Sequence, residues 1–305
     1  MLDLLAIVLP VFGLIGIGYA ARRVNFVSER MGEGLSEFVF SLSLPCLIFR
    51  TLVRAEIPAV QPWGYWISYF AGVAVVWALA MLIGRHFFAL KGVSAVVAGF
   101  SAGQANTVFV GVPMILKAYG EAGAVPLFLL IAVHLPVTMT LATLMAEGRQ
   151  ASPLVIVRRL VTHPIVVGIL AGSAFRPLAP SLPGPLWQVI ELLGSAAVPC
   201  ALISMGIALR RYGLETGWKL PTLISGLKLI LHPLLVLLLA TYVFDMPPVW
   251  AGVAVLFASC PSGINAYLFA ERYGEGVALA SSAVTLSTMF ALGTTLLWLY
   301  VLGVG

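Results

Sequence analysis

Charge is what this chain has least of. Of its 305 residues only 10% are charged, 61% are hydrophobic, and the mean hydropathy is +1.04. A soluble domain cannot hide that much apolar surface, so the composition implies an all-α polytopic membrane protein. Aspartate is scarcer still: Asp3 and Asp245 are the only two, both near the ends of apolar runs. That excludes a buried aspartyl pair for intramembrane proteolysis and argues against a proton–sodium exchanger of carboxylate type. Neither HExxH nor GxSxG occurs, and the three cysteines and four histidines lack zinc spacing. No enzymatic activity, metal or cofactor is expected. Cys46, Cys200 and Cys260 lie inside apolar runs and read as small core hydrophobes. The formal net charge of +5 does not indicate nucleic acid, because the basic residues fall in short connections between apolar runs.

Ten apolar runs are present, at approximately 2–20, 35–53, 64–84, 95–118, 123–145, 161–176, 187–209, 222–243, 249–271 and 277–303. The first is read as a span, not a signal peptide: Asp3 replaces a basic n-region, and Arg22 and Arg23 follow the run. Lysine and arginine concentrate in the connections after spans 1, 3, 5, 7 and 9, twelve against four on the other side. The positive-inside rule then puts those connections in the cytoplasm and both termini outside.

Pro10 recurs as Pro164, Leu44-Pro45-Cys46 as Val198-Pro199-Cys200, and Tyr119-Gly120-Glu121 as Tyr273-Gly274-Glu275. Glu37 and Glu191 share the offset of 154 residues that separates Pro10 from Pro164. Five spans lie between the copies, so the second enters the membrane upside down, an inverted five-plus-five repeat. The expected organisation is a first repeat at 1–145, a connection at 146–160 and a second repeat at 161–305.

Two stretches stand out. Residues 102–121 carry Asn106, Thr107, Gly111 and Pro113 inside an apolar run, and residues 257–275 carry Pro261, Ser262, Gly263 and Asn265. At 1.5 Å per residue Asn106 lies roughly 16 Å and Pro261 roughly 18 Å into their runs. Both depths are near the middle of a ~30 Å hydrocarbon core. Proline and glycine there imply broken helices, which survive in lipid only where packed in protein or lining a cavity. Paired breaks in two halves mark the binding site of a transporter, with amino ends of half-helices facing an anion and carboxyl ends a cation. Isolated kinks held by asparagine are the bland reading of either stretch alone.

The run NTVFVGVPMILKAYG (106–120) resembles the fourth-span motif of the auxin efflux carrier family. CPSGINAYLFAERYG (260–274) is similar to that family's ninth span, and SEFVFSLSLPCLIF (36–49) to its second. The resemblance covers essentially the whole length. It implies ten spans with crossed fourth and ninth helices, a scaffold of spans 1, 2, 6 and 7, and a mobile bundle of spans 3–5 and 8–10. It also implies elevator-like, alternating-access transport of small organic anions, carboxylates, across the cytoplasmic (inner) membrane, and a homodimer. Pro45, Cys46 and Pro199 would belong to the scaffold face of the substrate cavity. The long cytoplasmic loop of plant members is missing here, which looks like the prokaryotic branch and puts auxin itself in doubt as substrate. A sodium- or proton-coupled carrier of another solute, or an anion channel, is the alternative, although nothing reads as a filter loop or charged ring.

Ionisable groups inside spans are functional candidates by default. His134 and His232 could carry a coupling proton, and Thr285, in a Ser281/Thr285/Thr288 stripe, could line a path for sodium. Hydrogen-bonded core histidines and polar interhelical contacts are the bland alternatives. Lys228, about 9 Å from its span end, is expected to snorkel to the interface.

Overall fold

In the computed structural model the described residues are 2–54, 63–148, 164–212 and 217–304. Nearly all of the expected connection 146–160, with Arg149, Arg158 and Arg159, lies outside them. Twelve helices carry the described chain, which contains no β-strand. They are α1 (Leu2–Arg23), α2 (Glu29–Arg54), α3 (Trp63–Phe88), α4 (Gly92–Gly103), α5 (107–119) and α6 (Ala124–Glu147) in the first half. The second half holds α7 (Pro164–Phe175), α8 (Gly184–Leu209), α9 (Lys219–Val243), α10 (Pro248–Ala258), α11 (Ile264–Tyr273) and α12 (Val277–Val301). Seven helical stretches are long and apolar enough to cross a membrane. They are Leu4–Arg23, α2, α3, the 41-residue stretch Thr107–Glu147, α8, α9 and α12. The protein is therefore a multi-pass integral membrane protein. The fourth and ninth apolar runs each fold as two shorter helices, because the chain leaves helical geometry after Gly103 and after Ala258.

Proline does not break the other helices. Pro10, Pro136 and Pro199 sit inside α1, α6 and α8, which continue through them. Pro45 is accommodated differently. A wide turn at Val39–Ser43 precedes it, with the Leu44 amide bonded to the Val39 carbonyl. The same device precedes Pro113, at Thr107–Gly111, and Pro233, at Leu227–Leu231. Widening the helix by one residue keeps the ring off the carbonyl four residues back, which proline would otherwise strike. At Pro233 that carbonyl, Leu229, accepts a 2.7 Å bond from the Trp298 indole of α12. A partner from another helix thus replaces the donor that proline lacks.

The helices pack in two sets. α8 lies against α1 and α2, and α2 against α7. The others form the second set: α3 packs on α4 and α9, α9 on α10 and α12, α11 on α4 and α12, and α6 on α4 and α10. The α1–α8 approach is the tightest. A Cβ on Gly206 would lie 2.0 Å from the Ile15 carbonyl oxygen, and one on Gly18 would lie 2.2 Å from that of Ile203. Both obstacles are backbone, so neither can swing aside. Gly206→Ala should therefore cost about 1–3 kcal/mol by overpacking, whereas Gly13→Ala, with open space around it, should be silent. Thermal unfolding in detergent checks this; equal midpoints for the two variants would rule out so close a crossing.

Candidate functional site

The two breaks lie against each other and complete one another's backbone. The Asn106 amide donates to the Pro261 carbonyl (2.8 Å), and the Gly263 amide donates to the Gln104 carbonyl (3.0 Å). Between these bonds Ala105 and Ser262 form an isolated antiparallel bridge. Side chains from neighbouring helices take the remaining amides. The Ala105 N–H donates to His134 Nε2 (3.2 Å) and the Ser262 N–H to Ser287 Oγ (3.0 Å), while Ser262 Oγ donates to the Ser101 carbonyl (2.7 Å). Gln104 and Thr107 bond locally to the carbonyls of Phe100 (2.8 Å) and Ala105 (2.9 Å). Every amide from Gln104 to Thr107 thus has a partner, as backbone at membrane depth requires. Because His134 Nε2 accepts, its proton sits on Nδ1, which lies 3.0 Å from the Tyr69 hydroxyl. His134 is a core histidine with both ring nitrogens engaged.

A cavity of about 480 Å³ opens beside the paired breaks. Residues 104–109 and 263–265 line it, together with Ser36 and Phe40 of α2, Ile131 and Leu135 of α6, Leu268 of α11, and Ile207, Ala208, Arg211 and Tyr212 at the end of α8. Two helices begin at its wall: α5 after Asn106 and α11 after Gly263. First-turn amides lack intrahelical partners, and the macrodipole places partial positive charge there, so both walls favour an anion. The size suits a small molecule. At the rim Arg211 meets Glu29 (3.5 Å), Glu33 (3.7 Å) and Glu271 (3.2 Å), with its guanidinium 5.7 Å above the Tyr267 ring. These groups are half exposed, so the ion pairs contribute little stability. Across the seam, Asn106 Nδ2 donates to Met205 Sδ of α8 (3.3 Å).

Of the sequence-derived candidates, Asn106, Thr107, Gly263 and Asn265 line this cavity. Pro261 and Ser262 sit behind it as backbone partners. Gly111 and Pro113 lie beyond the break, inside α5: Gly111 faces Cys260 Sγ, and Pro113 packs in a closed seam with Leu44, Ala197 and Val198. The helix therefore resumes earlier than proline alone suggests. Pro45, Cys46 and Pro199 do not line the cavity; Pro45 faces Gly168 of α7, and Pro199 is exposed on α8. Thr285 hydroxyl donates to the Tyr212 carbonyl (2.9 Å), tying α12 to the end of α8. His232 lies 3.3 Å from Lys228 Nζ. The expectation that Lys228 snorkels fails: its side chain is fully buried and its ammonium bonds the Ala258 carbonyl. Sequence reasoning missed Gln104, whose polar amide beside Asn106 was the available signal. It also missed Arg211, masked among the orientation-setting arginines.

Paired helix breaks around an internal cavity, in a multi-pass helical protein, are the build of a membrane transporter. A family model described as "Membrane transport protein" matches residues 4–299. A Rhizobium meliloti protein named "Putative malonate transporter" is 32% identical over all of this chain and 98% of its own length. An "Uncharacterized transporter" of Methanothermobacter thermautotrophicus is 26% identical, covering 97% of each chain. Auxin efflux carrier component 8 of Arabidopsis thaliana is 22% identical over 96% of this chain and 95% of its own. The chain belongs to this membrane transport family, that of the auxin efflux carriers, and it is a transporter and not an enzyme.

The bond from the Ala105 amide to His134 can be tested directly. His134→Ala strands the Ala105 amide in the core and should cost about 1–3 kcal/mol for the unmet donor alone. His134→Gln, which keeps an acceptor of similar reach, should recover part of the loss. Denaturation midpoints in detergent check this, and an unaffected His134→Ala would remove the histidine from the break.

Proposed function

We propose that the protein moves small organic anions, carboxylates of the malonate class, across the cytoplasmic membrane by alternating access. One observation carries this reading: two helix amino ends, at Asn106–Thr107 and Gly263–Asn265, converge on a single cavity of about 480 Å³. Such ends bind carboxylates through amides and dipole without a buried cation. The name of the Rhizobium relative supports the choice of cargo.

In this reading α4–α5 and α10–α11 are the crossed fourth and ninth spans of an inverted five-plus-five repeat. Helix starts recurring at Glu29 and Gly184, Trp63 and Lys219, Gly92 and Pro248, and Ala124 and Val277 support that pairing. The helix set α1, α2, α7 and α8 is the scaffold of a homodimer. The set α3–α6 with α9–α12 carries the site past it in an elevator-like movement, coupled to a proton or sodium gradient, with both termini outside.

The test is a thermal-shift screen of purified protein against mono- and dicarboxylates, repeated with Asn106→Ala. At a hundredfold excess over Kd a true ligand stabilises by about 2.7 kcal/mol, and malonate should raise the wild-type midpoint accordingly. Asn106→Ala should unfold normally without ligand and lose the shift. No carboxylate effect in wild type, or an undiminished one in the variant, would sink the reading. Saturable exchange in liposomes would separate carrier from channel.

A further inference from the structure

A buried lysine needs a reason, and Lys228 meets no carboxylate among the described residues. None of the ion pairs among the described residues includes it. Its neighbours are the ring of His232 on its own helix, the Ala258 carbonyl of α10, and, further off, Tyr69 of α3, His134 of α6 and Cys260 of the break.

The place where the ammonium sits explains it. Ala258 is the last residue of α10, and the final carbonyls of a helix have no intrahelical donor. Three of these carbonyls are met by the chain just beyond. Val255 accepts from the Ser259 amide, Leu256 from Ser259 Oγ and Phe257 from the Cys260 amide. The fourth, Ala258, accepts from Lys228. The negative end of the half-helix thus faces the Lys228 ammonium, which lies on the opposite side of the break from the amino end that lines the cavity. Leu229, the next residue, is pinned by Trp298, which holds this turn of α9 in place. The first half lacks an equivalent: α3 carries no lysine, arginine or carboxylate before Arg85, and the carboxyl end of α4 is met by neutral donors, Gln104 N–H and Ser262 Oγ.

In broken-helix transporters, carboxyl ends and unwound carbonyls are where alkali-metal ions bind. We propose that Lys228 is a built-in counter-cation, its ammonium standing at the carboxyl end of α10 where a sodium ion would otherwise be needed. The second half then holds its break together without sodium at that place. The inference leans on the proposed transport reading only for what the other side of the break does.

The test uses ligand-free protein, so it stays separate from the identity of the cargo. Thermal unfolding is followed in sodium, choline and ethylammonium chloride at equal ionic strength. Wild type sets the reference midpoint in each salt, and each variant's loss is read against it. Lys228→Ala should fall by roughly 5–10 °C in choline and regain at least half of that in sodium or ethylammonium, which fit the vacated space. Lys228→Met, which fills the space without charge, should fall and not be rescued. A Lys228→Met as stable as wild type overturns the proposal, as does a Lys228→Ala whose loss, relative to wild type in the same salt, is equal in every salt. Should neither variant fold, Lys228→Arg decides: keeping the charge, it should fold and show the same salt response as wild type, and its failure to fold overturns the proposal too.

Discussion

Backbone polar groups cannot be left bare in hydrocarbon, and the centre of this protein is arranged around that constraint. Helices satisfy it automatically; the two stretches that leave helical geometry do not. They satisfy it mutually, through Asn106 to Pro261 and Gly263 to Gln104, and through side chains sent in from α6 and α12. The cavity wall is a by-product. Once the breaks are sewn together, the amino ends of α5 and α11 are what remains facing open space, and that is where a polar solute can be held.

The same constraint is met locally wherever proline enters a helix. A widened turn before Pro45, Pro113 and Pro233 relieves the clash, and Trp298 supplies a donor to the one carbonyl where a tertiary partner is seen. The two halves, similar in helix order, also treat their breaks differently. Around the first, histidine and serine hold the chain without charge. The second adds an ammonium.

Much of this was legible in the sequence because depth along a helix is simple arithmetic. Counting 1.5 Å per residue put Asn106 and the Pro261-Gly263 pair near the same height, and their types announced a break. Rotation about the helix axis was not legible. Lys228 has the right height to snorkel, yet its side chain turns inward towards α10. Pro199 sits near the middle of α8, yet it lies on an exposed face. Pro113 itself interrupts nothing, and the widened turn before it carries no residue type that a reader could spot. Arg211 was hidden by company: among many interfacial arginines, nothing in sequence singles out the one at the cavity rim.

The hydrogen bonds between residues 104–106 and 261–263 set an order of events in biogenesis. When the first half leaves the ribosome, the Asn106 amide and the Gln104 carbonyl have no partners, and those partners are encoded more than 150 positions later. The first break must wait, shielded by water, lipid headgroups or the insertion machinery, until α10 and α11 arrive. Closing the centre of the molecule is therefore among the last steps of its maturation. A chain truncated before residue 261 would be left with an open wound at the depth where the membrane tolerates it least.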